Sequence, residues 1–191
     1  MLIRAADSAR DGAACAAIYA PYVRDTVISL EERPPTAEDI AERIATTTRT
    51  HPWLVAEDRS EVIGYAYATR HRERASYRWA TDVTVYVAPD RQRAGVGRRL
   101  YENLFEALTD QGFRIACAGI TLPNDASVGL HEALGFQPVG VYRRIGFKLG
   151  AWRDVGWWQL ELAAPPDQGD DEPPREPAPP ARSAPPAGPA T

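Results

Sequence analysis

The sequence predicts a mixed α/β domain with one core, followed by a tail of different character. Three observations carry this. Val83, Val85 and Val87 alternate with Asp82, Thr84 and Tyr86, the period of a half-buried strand. Directly afterwards Val96, Leu100, Leu104 and Leu108 repeat every four residues, the period of a helix. Such segments recur over residues 1–163 in the order β-α-α-β-β-β-α-β-α-β-β, without internal repeat. The chain's 191 residues, 44% hydrophobic, suffice for one core and little more.

Residues 2–4 read as a first strand, and Asp7 or Ser8 as the cap of a short amphipathic helix through Ala14, Ala17, Ile18 and Tyr22, disturbed at Pro21. Residues 27–30 read as extended. Thr36, with Asp39 three residues on, caps a helix over 37–48. Residues 53–57 and 62–68 are strands joined by a hairpin at 58–61. A charged loop over 70–78 leads into the central strand, and Gly112 closes the helix that follows it. Residues 114–120 form a strand, 122–125 a turn, 126–134 a short helix closed by Gly135, and 139–147 and 155–162 the last strands. In the tail, 164–191, lie ten of the 17 prolines and no large apolar residue, so it is expected to be disordered.

The net charge of −4 argues against a nucleic-acid partner, and no stacking motif accompanies the local arginine clusters. No apolar run is long enough for a bilayer and no secretion signal opens the chain, so a soluble, cytoplasmic protein without a membrane partner is expected. Cys15 and Cys117 sit among small apolar residues and read as core thiols in a reducing compartment. His51 and His71 read as surface residues.

Between the central strand and its helix, residues 91–97 form a basic loop with two glycines. Strand, glycine loop and helix N-terminus together make an anion site: backbone N–H groups gather at the positive end of the helix dipole, and glycine lets the anion approach. The third glycine of a dinucleotide fingerprint is missing, as is the Gly-Lys-Ser/Thr of a nucleotide P-loop. Gln92-Arg93-Ala94-Gly95-Val96-Gly97 instead fits Q/R-x-x-G-x-G/A, the pyrophosphate loop of the GNAT family of N-acetyltransferases.

A second family signature is carried by Asn124 and by Leu130-His131-Glu132-Ala133-Leu134-Gly135-Phe136. Residues 2–163 resemble the phosphinothricin N-acetyltransferase branch through Trp53-Leu54-Val55-Ala56-Glu57, Thr84-Val85-Tyr86-Val87, Leu122-Pro123-Asn124-Asp125, Gly146-Phe147-Lys148 and Trp152-x-Asp154-Val155-Gly156-x-Trp158-Gln159-Leu160. The resemblance implies the GNAT fold: a mixed sheet splayed beside the central strand, helices on both faces, and pantetheine lying like an added strand.

It further implies acetyl-CoA as co-substrate, no metal, a small amino acid as acceptor, and a homodimer. Val85, Tyr86 and Val87, the loop residues Gln92, Arg93, Ala94, Gly95, Val96, Gly97 and Arg98, and Asn124 would contact the cofactor. Asp82 stands where the branch has a glutamate and would act as general base through a water, since an amine attacks only when neutral. A main-chain N–H at Val85 or Val87 would hold the oxyanion. His131, where many relatives carry tyrosine, would protonate the departing thiolate. Leu30, Arg72, Arg74, Tyr77 and Thr84 match acceptor-binding positions, Arg72 replacing a lysine and Leu30 standing where some relatives have an aromatic lid. Residues 146–158 would form core and a dimer-facing strand pair. No cysteine lies at either signature, so direct attack in a ternary complex is expected. Acetylation of another amine or a protein N-terminus, and a non-catalytic CoA sensor, remain open alternatives, and the acceptor is not named by the sequence.

Overall fold

The computed structural model describes residues 1–163 and 174–180. The strands are β1 (Leu2–Ala5), β2 (Trp53–Asp58), β3 (Glu61–Arg70), β4 (Ala80–Val87), β5 (Ile115–Leu122), β6 (Gln137–Lys148) and β7 (Ala151–Glu161). The helices are α1 (Ser8–Asp25), α2 (Ala37–Thr47), α3 (Val96–Gln111) and α4 (Asp125–Ala133). One sheet results, in the order β1-β2-β3-β4-β5-β7-β6, antiparallel except where β4 runs parallel to β5.

Period-two alternation assigns the sheet's residues to two cores. Ala56, Ala66 and Ala68 share one core with Leu100, Leu104 and Leu108 of α3, and Val55 and Tyr65 share the other with Ile18, Ile40 and Ile44 of α1 and α2. The alanines leave room for the leucines, each completely buried; burying such a side chain contributes about 1.5–3 kcal/mol. Asp7 caps α1, and Thr36 and Asp39 form a reciprocal capping box on α2. The helix α1 carries Pro21 without ending and continues to Asp25, and its buried side includes Cys15, Ala16 and Tyr19 while Ala17 is exposed. Residues 27–29 are bends and residue 30 is irregular, so the segment joins no sheet.

The feature that creates the site is a fork between β4 and β5. Only Ala80, Thr81 and Asp82 pair with Ile115, Ala116 and Cys117. Beyond Asp82 the strands separate, β4 staying on β3 to Val87 and β5 staying on β7 to Leu122.

Residues 174–180 belong to the tail expected to be disordered, yet they lie along the body. The Trp79 indole N–H donates to the Arg175 carbonyl at 3.0 Å, Arg78 pairs with Glu176, and Ala178 exchanges hydrogen bonds with Gln111 at 2.6 and 2.8 Å. The remainder of the tail lies outside the described residues.

Candidate active site

The fork leaves backbone groups of β4 unpaired by its neighbours. Ala88 donates to the Ile63 carbonyl at 2.9 Å, while Ala68 donates away from β4, to Pro52, at 3.1 Å. Antiparallel alternation then directs the peptide groups of Thr84 and Tyr86 toward β3 and those of Val85 and Val87 into the fork. The Val87 carbonyl is taken by the Tyr22 hydroxyl at 2.5 Å, and Gln92 Nε2 donates to that same hydroxyl at 2.7 Å. The start of the basic loop is thereby pinned to α1 and β4.

Farther along the loop, Arg93 and Gly95 take left-handed backbone angles, φ +62° and +76°. Gly95 is the N-cap of α3, no side chain caps that helix, and open space surrounds the position of a Cβ at 95. The first-turn amides, at Val96, Gly97 and Arg98, are the groups an anion would meet. Gly97 packs close to α4: a Cβ there would stand 3.3 Å from Leu130. Ala94 is exposed in the loop, and Arg98 turns its guanidinium to the Ala133 carbonyl and toward Glu102.

A cleft of about 100 Å³ occupies the fork, lined among others by Ile28, Thr84, Val85, Tyr86, Asn124 and His131. Asn124 caps α4, its side-chain oxygen accepting from the Ser127 N–H at 3.2 Å. His131, 3% exposed, has Nδ1 2.7 Å from the Ser127 carbonyl and Nε2 3.0 Å from the Tyr101 hydroxyl. A carbonyl only accepts, so Nδ1 carries the proton and Nε2 accepts from Tyr101. Burial lowers the imidazole pKa, with the Ser127 carbonyl acting weakly in the other direction. The resting ring is neutral.

At the base of the fork, Asp82 Oδ1 lies 2.6 Å from His71 Nδ1. His71 is thus no surface residue: its side chain is 15% exposed, held between Asp82 and the rings of Tyr77 and Trp157, each in a T-shaped contact. His51 is buried as well, stacked on Phe113 away from the fork. Burial raises the Asp82 pKa, and the His71 hydrogen bond and the Arg72 charge oppose it without cancelling it. A carboxylate so placed is a stronger base than one in water. Cys117 faces Asp82 across the last paired step. His71, Asp82 and Cys117 bring potential ligand atoms within 4.8 Å of one another. Burial, then the Asp82 charge, pushes the Cys117 thiol up to about 11, and burial pushes Cys15 to about 12, so neither is a ready nucleophile or an easy metal ligand.

The expected acceptor positions gather only in part. The Arg72 guanidinium lies 5.7 Å from the centre of the Trp157 ring, and Tyr77 stands edge-on to His71 at 5.9 Å. Thr84 lines the cleft, Arg74 precedes the short 3-10 turn at Ala75–Tyr77 and is exposed, and Leu30 rests on Gly146. Sequence reasoning assigned no site role to His71, Tyr101, Trp157 or Lys148. Buried Lys148 donates to the Val23 and Ser29 carbonyls at 2.6 and 2.7 Å, tying the segment that carries Ile28 and Leu30 to β6. For Tyr101 a signal existed, an aromatic hydroxyl on the buried side of α3; the other three depend on pairings between distant segments.

Comparison with known proteins agrees with this geometry. The sequence model of the acetyltransferase (GNAT) domain matches residues 3–157. A phosphinothricin N-acetyltransferase of Streptomyces viridochromogenes is 42% identical over 83% of this chain and 88% of its own. An L-methionine sulfoximine/L-methionine sulfone acetyltransferase of Salmonella typhimurium is 35% identical over 85% of this chain and 95% of its own. Among solved structures, a GNAT-superfamily phosphinothricin acetyltransferase from Sinorhizobium meliloti, in complex with acetyl-CoA, superposes with a TM-score of 0.82 at 35% identity, covering 91% of this chain and 92% of that one. With the forked sheet, the uncapped helix behind the glycine loop and the family match over most of its length, this chain belongs to the GNAT family of acetyl-CoA-dependent N-acetyltransferases.

Proposed function

We propose that this enzyme acetylates the α-amine of a small amino acid with an acidic or oxidised head group, of which phosphinothricin and methionine sulfoximine are the type, by direct attack on bound acetyl-CoA. The observation that carries the reading is the Asp82–His71 pair at the last paired step of the fork, with Arg72 beside it. Acetyl-CoA lies along the fork, its pyrophosphate at the amides of the 92–98 loop and its pantetheine against Val85, Tyr86, Val87 and the side-chain NH2 of Asn124. Arg72, Arg74, Tyr77, Thr84 and Leu30 receive the amino acid.

Asp82 takes a proton from the ammonium, directly or through a water, and the neutral nitrogen attacks the thioester carbon. The N–C bond forms, and the oxyanion accepts a hydrogen bond from a fork-facing N–H at Val85 or Val87. The C–S bond then breaks. Of the two protons the nitrogen sheds, one leaves through Asp82 and the other ends on sulfur. His131 relays the latter: neutral Nε2 takes it from the nitrogen of the tetrahedral intermediate through the Tyr101 hydroxyl and, an acid strengthened by burial, returns it by the same route to the departing sulfur. The two high thiol pKa values support direct transfer over an acetyl-cysteine intermediate.

The outer strand pair supports a homodimer: Val139, Ile145, Phe147 and Trp152 are each at least 57% exposed on β6 and β7. Among the described residues no helix is long and apolar enough to cross a membrane, which fits work in the cytoplasm. Thiol release from acetyl-CoA against a panel of amines tests the proposal. Turnover of phosphinothricin and methionine sulfoximine, lost in Asp82→Asn, is expected. Turnover confined to peptides would make this an N-terminal acetylating enzyme, and acetyl-CoA binding without turnover of any amine would make it a sensor.

A further inference from the structure

The indole N–H of Trp157 is buried and has no hydrogen-bond partner among the described residues. Buried donors are nearly always satisfied, so an orphan in a candidate site calls for an acceptor that arrives from outside. Trp157 on β7 is the register partner of Gly119 on β5, and its ring covers that glycine: a Cβ at 119 would stand 3.3 Å from Cζ2 and Cη2. Gly119 itself lines the fork cleft. The same ring has the Arg72 guanidinium 5.7 Å from its centre and the ring of His71, the partner of Asp82, 6.1 Å away centre to centre. The ring that carries the orphan donor therefore stands beside the cation, the partner of the base and the floor of the fork.

We propose that Trp157 determines acceptor specificity: its Nε1–H donates to an oxygen of the acceptor's anionic or oxidised head group, beside the charge of Arg72, and Gly119 is the position that admits the indole. The inference rests on the acceptor class proposed above and names the group that reads it. An indole N–H only donates, so it favours phosphinate, sulfone, sulfoximine or carboxylate oxygens and opposes a second ammonium, as in a polyamine. An acceptor without such an oxygen leaves the donor unpaired, which is how a buried polar group discriminates between substrates of similar size.

Trp157→Phe tests this, because phenylalanine keeps an aromatic ring over Gly119 and beside Arg72 and removes the N–H. Wild type and variant are assayed with methionine sulfoximine and with methionine, which lacks the head-group oxygen. The expected result is a fall of about tenfold in kcat/KM for the sulfoximine, mostly through KM, with the methionine value and the KM for acetyl-CoA unchanged. Gly119→Ala, which crowds the ring, should reduce the same sulfoximine-to-methionine ratio. Equal losses on both amino acids, or an unchanged ratio in both variants, would overturn the assignment. If wild type acetylates both amino acids equally well, the Trp157 role alone falls; if it acetylates neither, the proposed acceptor class falls with it.

Discussion

The two sides of the fork are built from different material. On the α3 side, one contiguous stretch, 92–98, presents main-chain amides at an uncapped helix N-terminus, and its form depends on backbone angles at Arg93 and Gly95. On the opposite side, side chains converge from β4, β7 and the 71–78 loop: Asp82, His71, Arg72, Tyr77 and Trp157. On the proposed reading, backbone binds what every turnover shares, the cofactor, and side chains read what varies, the amine. Damage to the first side should therefore affect all amines alike, and damage to the second should separate them.

The largest effect expected is at the point where the sides meet. Asp82→Asn should lower kcat by about 10²–10⁴-fold for every amine, while the acetyl-CoA Kd from calorimetry stays within about twofold. A comparable loss of cofactor affinity would break the division. Gly95→Val comes next: a β-branched residue at φ +76° costs roughly 1–2 kcal/mol of stability and distorts the amide loop. The KM for acetyl-CoA should rise at least about tenfold, with the ranking of amines unchanged.

Arg72→Lys keeps the charge but loses the planar group beside Trp157. It should raise the KM for acidic amino acids about three- to tenfold and leave acetyl-CoA untouched. The smallest effect concerns pH. As the proposed base, Asp82 would work only when ionised; burial raises its pKa, and the hydrogen bond from His71 opposes that rise. His71→Ala removes that restraint, so the acid limb of the kcat/KM profile should move to higher pH, whereas loss of a merely structural contact would lower the plateau without moving the limb.

The same division explains what could be foreseen. The cofactor side was legible because its determinants are neighbours in the chain: the strand period of 83–87, the glycines at 95 and 97 and the leucine period of α3 all recur in the structure. Strand and helix order were legible for the same reason, each element carrying its own period and caps. The acceptor side was legible only where resemblance supplied it. His71 offers no local pattern, and its meaning comes from the β3–β4 register that sets it beside Asp82. Trp157 gains its place from pairing with Gly119, 38 positions earlier (157 − 119). The reading of 27–30 as extended failed because tertiary bonds, from Lys148 to the Ser29 carbonyl and from Thr121 to the Ile28 carbonyl, hold the segment in bends. Residues 174–180 show that a proline-rich composition does not prevent docking where backbone carbonyls meet donors such as Trp79 and Gln111.

The most direct test of the account is an initial-rate grid in acetyl-CoA and methionine sulfoximine. If both substrates meet in the fork and the amine attacks the thioester directly, reciprocal plots should intersect, and no acetylated protein should accumulate when acetyl-CoA is supplied alone. Parallel plots, with an acetyl group retained on the enzyme, would contradict it.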